Sequence, residues 1–179
     1  MQHTVALINC EFAMNFQPLD ISTLSEIKAT FAIAEHPETY SVVLLATFRG
    51  HAFNSHGQSS FEHIKVMMAA NMVAAIPDAI ILDFSNLKYE WGDEMADVLF
   101  YCSNHPIETR VRIPVAVVTS ELNREGLTSL VRDEMRQTAN DWLTNSLEDA
   151  ISTIERLRRE IMSSATVDKS RHWFDQEIS

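Results

Sequence analysis

The sequence is poor in several residue types, and each shortage narrows what the protein can be. Only 4 glycines and 5 prolines occur among the 179 residues, so a collagen-like or low-complexity chain is excluded. No apolar run approaches the roughly 20 residues that a membrane-spanning helix needs. Residues 1–15 also lack a basic stretch followed by an apolar run and a cleavage site. We therefore expect a cytoplasmic protein that makes no contact with a membrane.

Cysteine is scarce as well. Cys10 and Cys102 have no spacing typical of a disulfide framework or a metal site, and buried thiols are the expected outcome. His51, His56 and His63 lie close together in the sequence, but no carboxylate or cysteine at ligand spacing completes a metal site. We predict neither a metal ion nor a tightly bound cofactor.

Positive charge is the third shortage. The 14 Lys and Arg residues face 25 Asp and Glu residues, which gives a net charge of −11. This charge would repel a polyphosphate, and no Lys/Arg stripe alternates with aromatic residues, so nucleic acid is excluded as a partner. The same charge permits fast association with a basic protein, although surface carboxylates also serve solubility alone.

What the chain does contain is an alternation of strand and helix patterns. With 46% hydrophobic residues it can bury one sizeable core, and we predict a single α/β domain over residues 1–162. Strands are predicted at residues 4–12, 40–48, 79–84 and 114–119, and helices at residues 23–36, 59–75, 93–102, 126–135 and 146–161. Repeated βαβ units imply a mainly parallel sheet, whose sites gather at the carboxyl ends of its strands.

The ends of the predicted helices rest on local signals. A capping box marks three helix starts, at Thr23 with Glu26, Ser59 with Glu62, and Ser146 with Asp149. In the first of these helices, one face would carry Leu24, Ile27, Phe31 and Ala34. From residue 163 the helical pattern disappears, and we expect residues 163–179 to form a mobile tail whose Trp173 and Phe174 could dock on the body or on a partner.

Two loops that follow predicted strands are the candidate sites. The first, residues 50–58, contains glycine and leads directly into a helix start, a geometry that can aim backbone N–H groups at an anionic oxygen. The second, residues 85–93, carries carboxylates. Those carboxylates either act as acid–base groups or, more simply, lie in solvent around a helix start that Asp93 caps.

Several segments in the first 60 residues occur in a familiar order: Val5-Ala6-Leu7-Ile8, Ala13-Met14-Asn15, a helix around residues 24–35, Val42-Val43-Leu44-Leu45, and the loop RGHAFNSHG at residues 49–57. Together they resemble the crotonase superfamily, the enoyl-CoA hydratase and isomerase relatives. The resemblance implies a crotonase-like fold and an acyl thioester (acyl-CoA) as ligand. In such a site two backbone N–H groups stabilise the enolate oxygen, and the activity would be that of a hydratase or isomerase.

Site residues follow from this resemblance by position. The first oxyanion-hole N–H would come from the loop Asn54, Ser55, His56 and Gly57, and the second from Gly92. The acid–base groups would be His56, Glu90, Asp93 and Glu94, and the phosphates of coenzyme A would meet Arg49 and Lys88. Members of this family assemble into oligomers, so a homo-oligomer is a further expectation. Trp91 and Asp93 stand beside Gly92 where the family has a glycine-rich segment, and catalysis therefore stays open.

A second resemblance covers residues 79–155. The run Ile81-Leu82-Asp83-Phe84-Ser85-Asn86-Leu87-Lys88-Tyr89 and the helix start Ser146-Leu147-Glu148-Asp149-Ala150 are similar to STAS domains, the anti-sigma-factor-antagonist fold. Such domains bind protein partners and are often switched by phosphorylation of a loop serine. Gly92 stands at that position here, and Trp91 at the neighbouring aspartate position, so this resemblance implies no phosphoswitch. The alternative function is a non-catalytic acidic interaction module, STAS-like or an inhibitor of a basic partner.

Overall fold

The architecture is a mixed α/β fold built on a five-stranded sheet. The structure is a computed structural model that describes residues 25–36, 41–55, 58–104 and 112–176. The strands of the sheet are β1 (Lys28–Glu35), β2 (Val42–His51), β5 (Ala79–Lys88), β6 (Val115–Val118) and β7 (Leu143–Thr144). A small hairpin of β3 (Asn54–Ser55) and β4 (Gln58–Ser59) follows β2. The helices are α1 (Ser60–Ala75), α2 (Glu94–Cys102), α3 (Arg124–Asp133) and α4 (Leu147–Gln176).

The strand order is β1-β2-β5-β6-β7. Strands β2, β5, β6 and β7 run parallel, and β1 pairs antiparallel with β2 at the edge. The prediction of a mainly parallel sheet is confirmed. Parallel strands are usually covered on both faces, which explains the nearly continuous apolar runs of β5 and β6.

Helices α1, α2 and α3 pack on the same side of the sheet, which we call the helix face. Alternate strand residues point into this core, among them Leu82 and Phe84 of β5 and Phe48 of β2, all fully buried. The rings of Phe48 and Phe84 meet edge to face with their centroids 5.7 Å apart, a favourable geometry for aromatic pairs. Each helix contributes one apolar stripe, and those stripes are the periodic signals in the sequence.

The opposite side of the sheet, which we call the α4 face, is packed by α4. Ala150 and Ile154 of α4 lie against Ile81, Ala116 and Val118 of the two central strands. The start of α4 is fixed as predicted, because the Ser146 hydroxyl accepts a hydrogen bond from the Asp149 N–H at 3.1 Å. The helix backbone continues to Gln176, past the point at which the apolar pattern stops.

One predicted helix is wrong. The sequence predicts a helix over residues 23–36, but Lys28–Glu35 forms β1, with Lys28 opposite Arg49. Pairing with β2 satisfies the backbone groups, and the ring of Phe31 packs edge to face on Phe48 at 5.9 Å. This finding also removes the helix at residues 24–35 on which the crotonase resemblance partly depended.

The remaining elements fall near their predicted positions. The helices expected at 59–75, 93–102, 126–135 and 146–161 and the strands at 40–48, 79–84 and 114–119 are confirmed, with bounds shifted by a few residues. The predicted strand at residues 4–12 lies outside the described residues. The domain limits stay a prediction. Of the helices in the described part of the chain, none is both long and apolar enough to cross a membrane.

Candidate functional site

An open cavity of about 450 Å³ lies at the carboxyl edge of the sheet. One wall is the loop after β5, which includes Trp91 and Gly92, and the other is the loop after β6 together with the outer side of α3. We call it the carboxyl-edge cavity. Its position is the one at which parallel α/β sheets most often bind their ligands.

Asn123 holds the two loops of this cavity together. Its side-chain amide donates to the backbone carbonyls of Phe84 and Leu87 at 2.6 and 2.7 Å, and its own oxygen accepts from the Ser120 N–H at 3.1 Å. The side chain is buried, so these bonds replace water that the carbonyls have lost. The backbone adds a further link, from the Tyr89 N–H to the Leu122 carbonyl at 3.2 Å.

Gly126 allows α3 to approach the loop after β5 at backbone distance. A Cβ atom at this position would lie 2.4 Å from the Glu90 carbonyl oxygen and 3.1 Å from the Tyr89 ring. The nearer neighbour is a backbone atom, so this close approach requires the absence of a side chain. The loop after β5 and α3 are therefore in direct contact beside the cavity.

Tyr89 is the buried support below the loop. Its hydroxyl donates to the Gly92 carbonyl at 2.8 Å, and its ring meets Phe61 edge to face at 6.2 Å. Gly92 has a φ of +132°, which a side chain would strain. Burial raises the pKa of Tyr89, and the negative charges of Asp93 and Glu94 raise it further. The phenol is thus held protonated beside a negative rim.

Carboxylates surround the opening. Six line the cavity: Glu90, Asp93, Glu121, Glu125, Asp133 and Glu134. Two are paired with cations, Glu90 with Lys88 and Asp133 with Arg132, each at 2.7 Å. The guanidinium of Arg132 and the Ser129 hydroxyl lower the pKa of Asp133 to about 2. The Asp133 carboxylate is therefore ionised at neutral pH.

Two large apolar side chains stand in solvent at the same opening. Trp91 is 81% exposed and Leu122 is 50% exposed, and both line the cavity. Trp is the residue type most strongly enriched among energetically dominant interface contacts, because it buries a large area and retains a polar N–H. Exposed apolar groups within an acidic rim are typical of a surface that another molecule covers.

The residues predicted for an oxyanion hole are only partly described. Asn54 and Ser55 are the two residues of strand β3. His56 and Gly57 lie outside the described residues. Gly92 belongs to the carboxyl-edge cavity, whose walls follow β5 and β6, whereas the predicted first donor follows β2. Arg49, expected to meet a cofactor phosphate, is an exposed residue of β2 opposite Lys28.

The other predicted site residues lie at the end of β5 and the start of α2. Lys88, the second predicted phosphate contact, binds Glu90, and this hydrogen bond and charge lower the pKa of the Glu90 carboxyl. An acid–base role would need the opposite shift. Asp93 occupies the residue before α2, but its side chain makes no capping hydrogen bond to that helix. Glu94 begins α2. Among the described residues, no group of three or more His, Cys, Asp or Glu could hold a metal ion.

Sequence reasoning missed the second wall of the cavity. The loop SELN at residues 120–123 follows a buried strand just as the two predicted loops do, so its position at the carboxyl edge was available from the pattern. Asn123 and Gly126 give no comparable signal. Their roles depend on carbonyls that are 36 and more residues away in the chain.

No family model and no curated protein matches this chain. Among solved structures it is similar to an anti-sigma factor antagonist from Mycobacterium paratuberculosis. The two share 14% sequence identity, the match covers 72% of this chain and 95% of that chain, and the TM-score is 0.43. A likeness of this size does not bear on function. Nothing in these comparisons supports the crotonase interpretation.

Proposed function

We propose that this protein is a non-catalytic interaction module that binds a basic protein partner at the carboxyl-edge cavity. The observation that carries the proposal is Trp91, a large apolar side chain that is 81% exposed at the mouth of a cavity lined by six carboxylates. Association with a partner would bury this ring, and burial of an aromatic side chain is a major source of interface energy.

Two titratable groups of the cavity, Glu90 and Tyr89, favour binding over acid–base chemistry. Glu90 has a lowered pKa because Lys88 hydrogen-bonds to it, so at neutral pH it is a weak base. Tyr89 has a raised pKa and already donates its proton to the Gly92 carbonyl. A general acid or base works best when its pKa lies near the operating pH, and neither group meets that condition.

The charge of the rim defines the partner class. Glu121, Glu125 and Glu134 line the cavity and form no ion pair with a described residue. Lys or Arg side chains of a partner would complement them and would raise the association rate, while an apolar residue of the partner would pack on Trp91 and Leu122. The proposal therefore predicts an interface with an apolar centre and a salt-sensitive rim.

The test is a capture experiment from the native cytosol followed by titration of the purified partner. Trp91→Ala should weaken binding by about tenfold to a hundredfold, as expected for an interface hot spot. Glu121→Gln combined with Glu125→Gln should slow association and flatten its dependence on salt.

The matched control is Val73→Ala. Val73 is also a large exposed apolar residue, but it lies near the end of α1, and its substitution should leave the affinity unchanged. If Trp91→Ala and Val73→Ala bind the captured partner equally well, or if no stoichiometric partner is recovered at low salt, the proposal is wrong.

A further inference from the structure

The five-stranded sheet has two edges, and they differ in how well they are protected. One edge is β7, which has two residues, Leu143 and Thr144. A strand this short offers few unpaired backbone groups, which is one way in which natural proteins prevent edge-to-edge pairing. The other edge is β1, which has eight residues, and its outer side pairs with no strand among the described residues. We call this outer side the β1 edge.

The β1 edge lacks the sequence features that usually prevent such pairing. Its sequence, KATFAIAE, contains no proline, and its charged residues, Lys28 and Glu35, stand at the two ends. The pairing with β2 runs through eight consecutive residues of β1 without a shift in register, so no bulge bends the strand away. Ile33 is 67% exposed. A long, regular and apolar edge of this kind favours pairing with another chain.

The hydrogen bonds of β1 show which of its backbone groups point away from β2. The His36 N–H donates to the Ser41 carbonyl at 2.9 Å, which continues the β1–β2 ladder by one pair. The backbone of Val42 instead bonds to Asp78, on the other side of β2. Because the bonds of an antiparallel pair alternate, the even-numbered residues of β1 bond to β2. The odd-numbered residues, from 29 to 35, therefore present their N–H and C=O groups at the β1 edge.

We propose that a second copy of this chain pairs with the β1 edge, antiparallel and about a two-fold axis at Ala32. In this register the two Ala32 residues lie opposite each other, and Ile33 of each copy lies opposite Phe31 of the other. Both of these side chains lie on the helix face, because Phe31 packs on Phe48 there and Ile33 is two residues further along the strand. A cross-strand pair of an aromatic and a β-branched residue is favourable. Pairing would therefore cover the exposed Ile33.

The charges of the β1 edge favour a second copy as the occupant. Two chains of net charge −11 repel each other, so their contact requires a surface on which charge is absent or balanced. Residues 29–34 are uncharged, and antiparallel pairing brings Lys28 at one end of each strand near Glu35 at the end of the other. Glu155, which pairs with His36 at 3.7 Å, adds a carboxylate at that end. The edge thus complements itself, as a two-fold dimer requires.

The dimer would leave the carboxyl-edge cavity open in both copies. The carboxyl ends of β2, β5 and β6 lie at one end of the sheet. Antiparallel pairing of two β1 strands places the same end of the second copy at the opposite end of the joined sheet. The two cavities would therefore face away from each other, and the dimer does not depend on the function proposed above.

Cysteine crosslinking of the full chain tests both the pairing and its register. In a Cys10→Ser background, Ala32→Cys places two thiols at the two-fold axis, in a non-hydrogen-bonded pair whose Cα atoms lie about 4.5 Å apart. A disulfide spans this distance, so mild oxidation should link most chains as dimers. Ala34→Cys is the matched control, because Ala34 is also exposed on the same side of the same strand. Its two thiols would be more than about 13 Å apart, and no link should form.

Sedimentation analysis measures the same interface without a crosslink. The unmodified chain should be a dimer, and Ile33→Lys should raise its dissociation constant by about a hundredfold or more, since an ammonium group from each copy enters the contact. Leu122→Lys is the control, because Leu122 is 50% exposed in the carboxyl-edge cavity, and it should leave the dimer intact. A monomeric unmodified chain, a dimer that Leu122→Lys dissociates and Ile33→Lys does not, or no link from position 32 would overturn the proposal.

Discussion

The two faces of the sheet are built from the same strands but are covered very differently. On the helix face, three helices bury alternate residues of β2, β5 and β6 almost completely, and Leu82 and Phe84 have no exposed surface. On the α4 face, one helix covers the central strands, and Leu45 of β2 is only half-buried. The difference separates the part of the fold that supplies stability from the part that leaves apolar surface available.

Two polar side chains show a similar contrast in burial. At the carboxyl edge Asn123 makes three hydrogen bonds of 2.6, 2.7 and 3.1 Å in a buried position. On the α4 face Thr47 donates to the Asp83 carboxylate at 3.4 Å in a half-exposed position, where water can replace the bond. The loss of the buried hydrogen bonds should therefore cost more stability than the loss of the half-exposed one.

The largest expected difference in stability is between alanine variants of two leucines in neighbouring strands. Leu82→Ala on the helix face should lower the free energy of unfolding by about 3–4 kcal/mol, because it leaves a cavity in a closely packed core. Leu45→Ala on the α4 face should cost about 1 kcal/mol, because the side chain is already partly in water and its surroundings can collapse. Urea denaturation of both variants measures the two values. Equal costs would show that the α4 face is as fully covered as the helix face.

The next largest difference in stability is expected between variants of Asn123 and Thr47, the two hydrogen-bonding residues described above. Asn123→Ala leaves the Phe84 and Leu87 carbonyls without that donor in a buried site, and we expect a loss of about 2–3 kcal/mol. Thr47→Val should change stability by no more than about 0.5 kcal/mol, since valine suits a strand and the Asp83 carboxylate can turn to solvent. Urea denaturation measures both losses, which follow from the shift of the unfolding midpoint if the m-value stays unchanged. A loss below about 0.5 kcal/mol for Asn123→Ala would contradict the role assigned to it.

The asymmetry of the faces explains how far sequence reasoning reached. Segments whose apolar period matches a fully buried face, such as α1 and β5, were predicted near their observed bounds. The segment of β1 was misread because Leu24, Ile27, Phe31 and Ala34 also fit a helical spacing and Thr23 with Glu26 resembles a capping box. An edge strand with exposed alanines shows little of the alternation between apolar and polar residues that marks a strand. Its pairing with β2 decides its structure.

The candidate site was predictable only in outline. The predicted loop at residues 85–93 follows a parallel strand, and it contributes Glu90 and Gly92 to the carboxyl-edge cavity. The contacts that give the cavity its shape join residues such as Asn123 and Leu87, which are 36 positions apart. No local pattern contains such a contact, and the sequence therefore could not assign Trp91 and Leu122 to one opening.

A smaller effect is expected where α3 meets the loop after β5. Gly126→Ala places a Cβ atom 2.4 Å from the Glu90 carbonyl oxygen, so the loop must move. Overpacking of this kind typically costs about 1–3 kcal/mol, while alanine in a helix returns about 1 kcal/mol relative to glycine, so the net loss should be about 1 kcal/mol. Thr128→Ala, in the same helix, is the control and should be nearly neutral. NMR shift changes confined to residues 89–93 would confirm the displaced loop, and unchanged shifts there would refute it.

An effect that is absent at neutral pH and appears only at alkaline pH again distinguishes the two faces. Cys102 is fully buried on the helix face, and burial raises the pKa of its thiol to about 12, above the value of about 8.5 for an unfolded chain. Below about pH 8.5 the thiol is protonated in both the folded and the unfolded chain, so it does not lower the free energy of unfolding. As the pH rises toward 12, the thiol ionises only in the unfolded chain, and the free energy of unfolding falls by up to about 1.4 kcal/mol per pH unit. In a Cys10→Ser background, iodoacetamide should therefore leave Cys102 unmodified in the native protein at pH 8, whereas a cysteine introduced by Ile151→Cys on the α4 face should react readily. Cys102→Ala should remove part of the alkaline loss of stability, and equal labelling of the two cysteines would show that the helix face opens as easily as the α4 face.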